Sequence, residues 1–117
     1  MQDFRKLKVW QRARAFSREV RRLAAGFPPG NAELKDQLAS AAESIARNIV
    51  EGAGAASKKD FARFLDFSIK SAMESEYHLQ VAVDDGLISL ETWRRLTAEV
   101  VEIRKMLFGL RRRVLGG

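Results

Sequence analysis

The chain has 117 residues, 46% of them hydrophobic and 31% charged. That is the composition of one ordinary globular domain, and it excludes a disordered or fibrous chain. There is no cysteine, which excludes disulfides and cysteine-based metal sites, and no apolar run of membrane-spanning length. The net charge of +6 is unevenly spread: residues 1–26 hold eight Lys/Arg against two Asp/Glu, and residues 87–117 hold seven against three. The 60 residues between them are mildly acidic. Such asymmetry marks either solvated helix faces or a surface for a polyanion.

Hydrophobic spacing predicts four helices, over about residues 4–26, 31–52, 57–85 and 89–115. In the first, Val9, Ala13, Phe16, Val20, Leu23 and Ala24 form one stripe. Arg14, Arg18, Arg21 and Arg22 fall outside it. Pro28 and Pro29 stop this helix. The second buries Leu34, Leu38, Ala41, Ile45 and Ile49, and its many Ala and Ser residues favour close approach of a neighbour.

Ser57 is placed to cap the third helix, with Asp60 in its first turn. Phe61, Phe64, Leu65, Ser68, Ala72, Leu79 and Val83 share its core face, and Phe67 is expected to join them. Phe67, Tyr77 and Val81 also extend apolar surface away from that face. Asp84-Asp85-Gly86 stops the helix, with Gly86 free to adopt a left-handed conformation. Ser89 caps the fourth, whose seam is Trp93, Leu96, Val100, Ile103, Leu107, Leu110 and Val114. Short loops make neighbours antiparallel, so the expected fold is all-α, an up-down four-helix bundle in a single domain.

Gly52-Ala53-Gly54, just before Ser57, invites a phosphate-loop reading. Phosphate loops follow a strand, and here a helix precedes the glycines. The stretch also lacks the Gly-Lys-Ser/Thr of one motif and the third glycine of the other. A turn between helices is the expectation.

Enzyme readings fare poorly. His78 is the only histidine, and Ser75 stands where a di-iron bundle motif needs glutamate. No arginine lies in the seven residues before His78, as the arginine–histidine motif of bundle-type ribonucleases would require. Glu74 and Glu76, two apart on a helix, point in different directions. No catalytic residue, metal site or cofactor is expected. Asn48, Glu51, Ser57, Ser71 and Glu74 are instead expected to form a structural polar seam around the turn, with Glu74 reaching Asn48 or Ser57.

The stretch N-I-V-E-G-A-G-A-A-S-K-K-D-F-A-R-F-L from Asn48 to Leu65, with F-R-K-L-K-V-W-Q-R-A before it and S-A-M-E-S-E after it, resembles a known family. It is the four-helix-bundle family encoded in intervening sequences of bacterial large-subunit ribosomal RNA genes. A more distant relative is the accessory protein of diversity-generating retroelements. The likeness runs from Phe4 to about Leu115. It implies an up-down bundle that assembles into a homopentamer, no known catalytic activity, and nucleic-acid association in several relatives. The expected interface is Arg14, Arg18, Arg21 and Arg22 of the first helix with Arg111, Arg112 and Arg113 of the last, taking RNA or DNA. The alternative is a scaffold that docks a protein partner. The basic N-terminal stretch is followed by no apolar segment, so no signal peptide and a cytoplasmic location are expected.

Overall fold

The computed structural model describes residues 2–116. They form four helices: α1 Lys8–Ala25, α2 Ala32–Ala53, α3 Lys58–Asp84 and α4 Leu90–Gly116. Each helix packs on its neighbours in chain order, and α1 closes the ring onto α4. The backbones of diagonal pairs stay further apart, as in an antiparallel up-down bundle, and the molecule measures 46 × 21 × 20 Å.

The expected elements are present, with one change at the start. The first helix begins at Lys8 and not near Phe4, because Leu7 is extended at φ −78° and ψ 119°. Before it, Phe4–Lys6 make a separate 3-10 turn, whose start is held by the Asp3 carboxylate accepting from the Arg5 amide at 3.1 Å. The Gln2 amide donates to the Ala53 carbonyl at 3.0 Å, strapping the N-terminal segment to the end of α2.

The helix ends follow their capping residues. Ser57 Oγ accepts from the Asp60 amide and Ser89 Oγ from the Thr92 amide, each at 3.0 Å. At the end of α3 the Leu87 amide reaches back to the Ala82 carbonyl at 2.9 Å. That closure needs a left-handed residue, and Gly86 supplies it at φ +73°. Ile88 then folds inward as a buried plug.

Phe16, Leu38, Ile45, Ile49, Leu65, Leu79, Leu96, Ile103 and Leu107 fill the centre. Burying a side chain of this size contributes about 1.5–3 kcal/mol, so these few residues dominate the stability of the bundle. Trp10 and Trp93 pack half-buried against them, as do Phe61 and Val83. Phe67 is 39% exposed, so of its two expected places it takes the outward apolar surface and not the core face. Ala62, Ser68, Ile69 and Ala72 take the buried positions of α3 around it.

The two glycines of the α2–α3 turn have different jobs. Gly52 lies inside α2, where a Cβ would come within 2.9 Å of Phe61 Cδ1 and 3.1 Å of Phe64 Cβ. Gly54 is the C-cap at φ −86° and meets nothing closer than 3.6 Å. Gly52 permits a helix to approach; neither glycine cradles a phosphate.

Candidate nucleic-acid interface and polar seam

An up-down bundle of four helices returns its last helix to the end where the first began. Residues 2–8, the α2–α3 turn and the end of α4 therefore meet. Gln2, Ala53, Lys58 and Arg113 line one shallow hollow there. The outermost parts of the chain's two basic ends, residues 2–8 and 109–116, thus meet at one end of the molecule, while α1 carries Arg18, Arg21 and Arg22 away from it. Residues 2–8, 51–60 and 109–116 hold eight Lys/Arg and three Asp/Glu. The opposite end, residues 26–37 and 80–95, holds three and five.

Ion pairing decides which cations are available. Arg111 is not: its Nε donates to Asp66 Oδ1 at 2.6 Å, tying α4 to α3. Arg112 and Arg113 are exposed, and the helix continues through them to Gly116. On α1, Arg18 and Arg22 are exposed, while Arg21 stands 3.7 Å from Glu43. Arg14 is half-buried, and its Nη1 is enclosed without a hydrogen-bond partner. Lys6, Lys8, Lys58 and Lys59 are exposed at the basic end. Among the described residues, those four lysines and Arg18, Arg22, Arg112 and Arg113 are in no ion pair. The lysines were legible only as scattered charge, because their convergence depends on the strap and the turn.

The expected polar seam divides. Asn48 Nδ2 donates to the Ser44 carbonyl at 2.9 Å and to Ser44 Oγ at 3.0 Å. Buried Ser71 donates to the same Oγ at 2.9 Å. Ser44 is thus the hub, and its place four residues before Asn48 on one helix face was the available signal. Glu51, Ser57 and Glu74 are exposed and lie outside this group. Ser57 is used as a cap, and Glu74 reaches neither Asn48 nor Ser57. It lies outside the row Ser68, Ser71 and Ser75 that α3 turns inward.

His78 and Glu74 line an open groove between α2 and α3, with Ser71 at its base. Ser71 gives its proton to Ser44, and Ser75 gives its own to the Ser71 carbonyl at 2.9 Å. Neither hydroxyl is directed at the imidazole. Among the described residues no cluster of three metal-ligating side chains occurs, and no helix is long and apolar enough to cross a membrane.

Fold and surface together define an all-α, up-down four-helix bundle with one basic end and a small-residue crossing between α2 and α3. Residues 5–109 match the family described as 23S rRNA-intervening sequence protein, and the chain belongs to that family. The chain is also similar to a crystal structure from Bacteroides thetaiotaomicron, described as a protein of unknown function from the S23 ribosomal protein family. The two are 25% identical, with a TM-score of 0.83 over 89% of this chain and 98% of the other. No curated protein matches the chain.

Proposed function

We propose that this protein is a cytoplasmic, non-enzymatic homo-oligomer that binds nucleic acid through the basic end of its bundle and the free arginines of α1. The observation that carries this reading is the charge polarity: three segments distant in sequence bring exposed, unpaired cations to one end. Phosphates bind such a surface by displacing counterions, with little demand on base sequence. The engaged Ser71 and Ser75 hydroxyls favour binding over catalysis by His78. Pentameric assembly follows from the family resemblance. The exposed apolar side chains of α3 and α4 support assembly: Phe67, Met73, Tyr77, Phe108 and Leu115.

The test is a gel-shift titration with RNA and DNA at about 50 mM salt, repeated at rising salt. Binding falls with a slope of about −0.9 per duplex phosphate contacted and about −0.7 on single strands. Lys58→Glu with Lys59→Glu, Arg112→Glu and Arg113→Glu weakens binding to every sequence. Absence of binding by the parent protein at micromolar concentration overturns the reading. The same five apolar side chains favour a second reading, a scaffold for a partner protein, which then leads. Light scattering checks assembly independently: a monomer mass at micromolar concentration removes the oligomer.

A further inference from the structure

Chain direction changes sharply at Leu7, and the change has a product. The 3-10 turn folds back so that the Phe4 ring meets the Trp10 ring edge-to-face, with centroids 4.9 Å apart and planes at 70°. Trp10 packs against the core, whereas Phe4 is outside the set of side chains that do so. Phe4 is nevertheless only half-exposed, held by Trp10 on one side. The Arg5 guanidinium lies over the Phe4 ring, 4.6 Å from its centroid. Arg5 is itself loosely held: its side chain is 71% exposed, and its ionic partner Asp3 is 3.5 Å away.

This cluster heads the arginine line of α1. Trp10, Arg14 and Arg18 follow one another at four-residue steps, so they share a helix face over about 12 Å. Arg18 is exposed and in no ion pair, and Arg14 is half-buried between it and Trp10 with its Nη1 enclosed. A cation over an aromatic face, followed by cations along a line, is the pattern that takes a single strand: bases stack and phosphates track the charges. A duplex keeps its bases inside and cannot use the ring.

We infer that Phe4, seated on Trp10 and covered by Arg5, is a stacking site for an unpaired nucleobase, so that the preferred ligand is single-stranded nucleic acid. The proposal rests on the nucleic-acid reading above and names the ligand class for it. In the free protein Arg5 occupies the ring face. A base plane takes that place, and the displaced guanidinium stays within reach of the phosphate of the same nucleotide. Packing alone explains Trp10; it does not explain an aromatic ring left outside the core with an exposed cation on its face.

The experiment is an anisotropy titration of the full chain with a labelled single strand and with a blunt-ended duplex that contains the same strand. Phe4→Leu keeps the apolar bulk and removes the π-face; Phe4→Tyr keeps the face. The expected result is tighter binding of the single strand by the parent protein. Phe4→Leu loses about tenfold on the single strand, as for one lost stacked base, and nothing on the duplex. Phe4→Tyr binds like the parent. Circular dichroism melting of each variant verifies that the bundle is intact. If Phe4→Leu binds the single strand like the parent, or weakens both ligands equally, the stacking site is overturned while the electrostatic reading stands. Preference for the duplex also overturns it. Failure of the parent protein to bind either ligand removes both proposals.

Discussion

The α2–α3 seam and the α1–α4 seam join helices by opposite means. Between α2 and α3 the side chains are small and the contact is close. Gly52 admits the Phe61 and Phe64 side chains, and Ser68 Oγ donates to the Ile45 carbonyl at 2.7 Å across the interface. Between α1 and α4 the flank is spanned by long charged side chains, Arg12 to Glu99 and Arg95 to Glu19. The first seam has no spare volume at Gly52, and its buried serines find their hydrogen-bond partners within the seam. The second can lengthen or shift by rotamer changes, with water replacing whatever bond is lost. Stability should therefore be sensitive to single atoms on one side of the bundle and tolerant on the other.

Gly52→Val should break the comparison most severely. Added carbons meet a ring, a Cβ and, at 3.2 Å, the Phe61 carbonyl, which is backbone. Overpacking of this kind costs about 1–3 kcal/mol, and the gain in helix propensity offsets only a few tenths of it. A thermal melt measures the loss. A melting temperature equal to the parent's would mean that α2 and α3 are not in close contact at this crossing.

Next is Ser68→Ala. It leaves the Ile45 carbonyl with only its helical partner, and the expected cost is about 1 kcal/mol by urea denaturation. A smaller effect is expected across the looser seam. Arg12→Ala and Glu99→Ala, with the double variant, should return a coupling of about 0.2–1 kcal/mol that shrinks in high salt. The Arg12 pKa is raised above its ordinary value, chiefly by the hydrogen bond to Glu99, against a desolvation that lowers it. A raised pKa means the charged form is favoured in the fold. Its contribution is complete below the unfolded arginine pKa and is lost only as pH rises through the still higher folded value. Arginine charge therefore should not make this pair vary between about pH 6 and pH 9.

Gly54→Ala should matter least. The backbone there is right-handed and an added Cβ would meet nothing closer than 3.6 Å, so stability should be unchanged or rise slightly, by about 0.5 kcal/mol at most. A marked loss would show that the turn needs both glycines.

These contrasts also explain what could be read from the sequence. The helices, their caps and the bundle topology were legible because 3.6-residue periodicity, Ser57, Ser89 and Gly86 are local signals. Gly52 was legible as a turn residue but not as a packing residue, since its partners Phe61 and Phe64 are defined only once the helices cross. Phe67 fitted both the core stripe and the outward apolar surface, and it is outward because the inward positions are taken by the smaller Ser68 and Ile69. Glu51 and Glu74 share a neighbourhood with Asn48 and Ser71, yet the hydrogen bonds converge on Ser44. The arginines were countable, but their pairing was not: Asp66 claims Arg111 from 45 residues away. The break at Leu7 carried no sequence signal, since neither proline nor glycine marks it.

The chain's return to its starting point has a consequence for motion before contact. A rod 46 Å long and about 20 Å across, positive at one tip and negative at the other, carries an electric dipole along its axis. In the field of a polyanion it experiences a torque as well as a pull, and it turns tip-first within the screening distance, about 10 Å at 0.1 M salt.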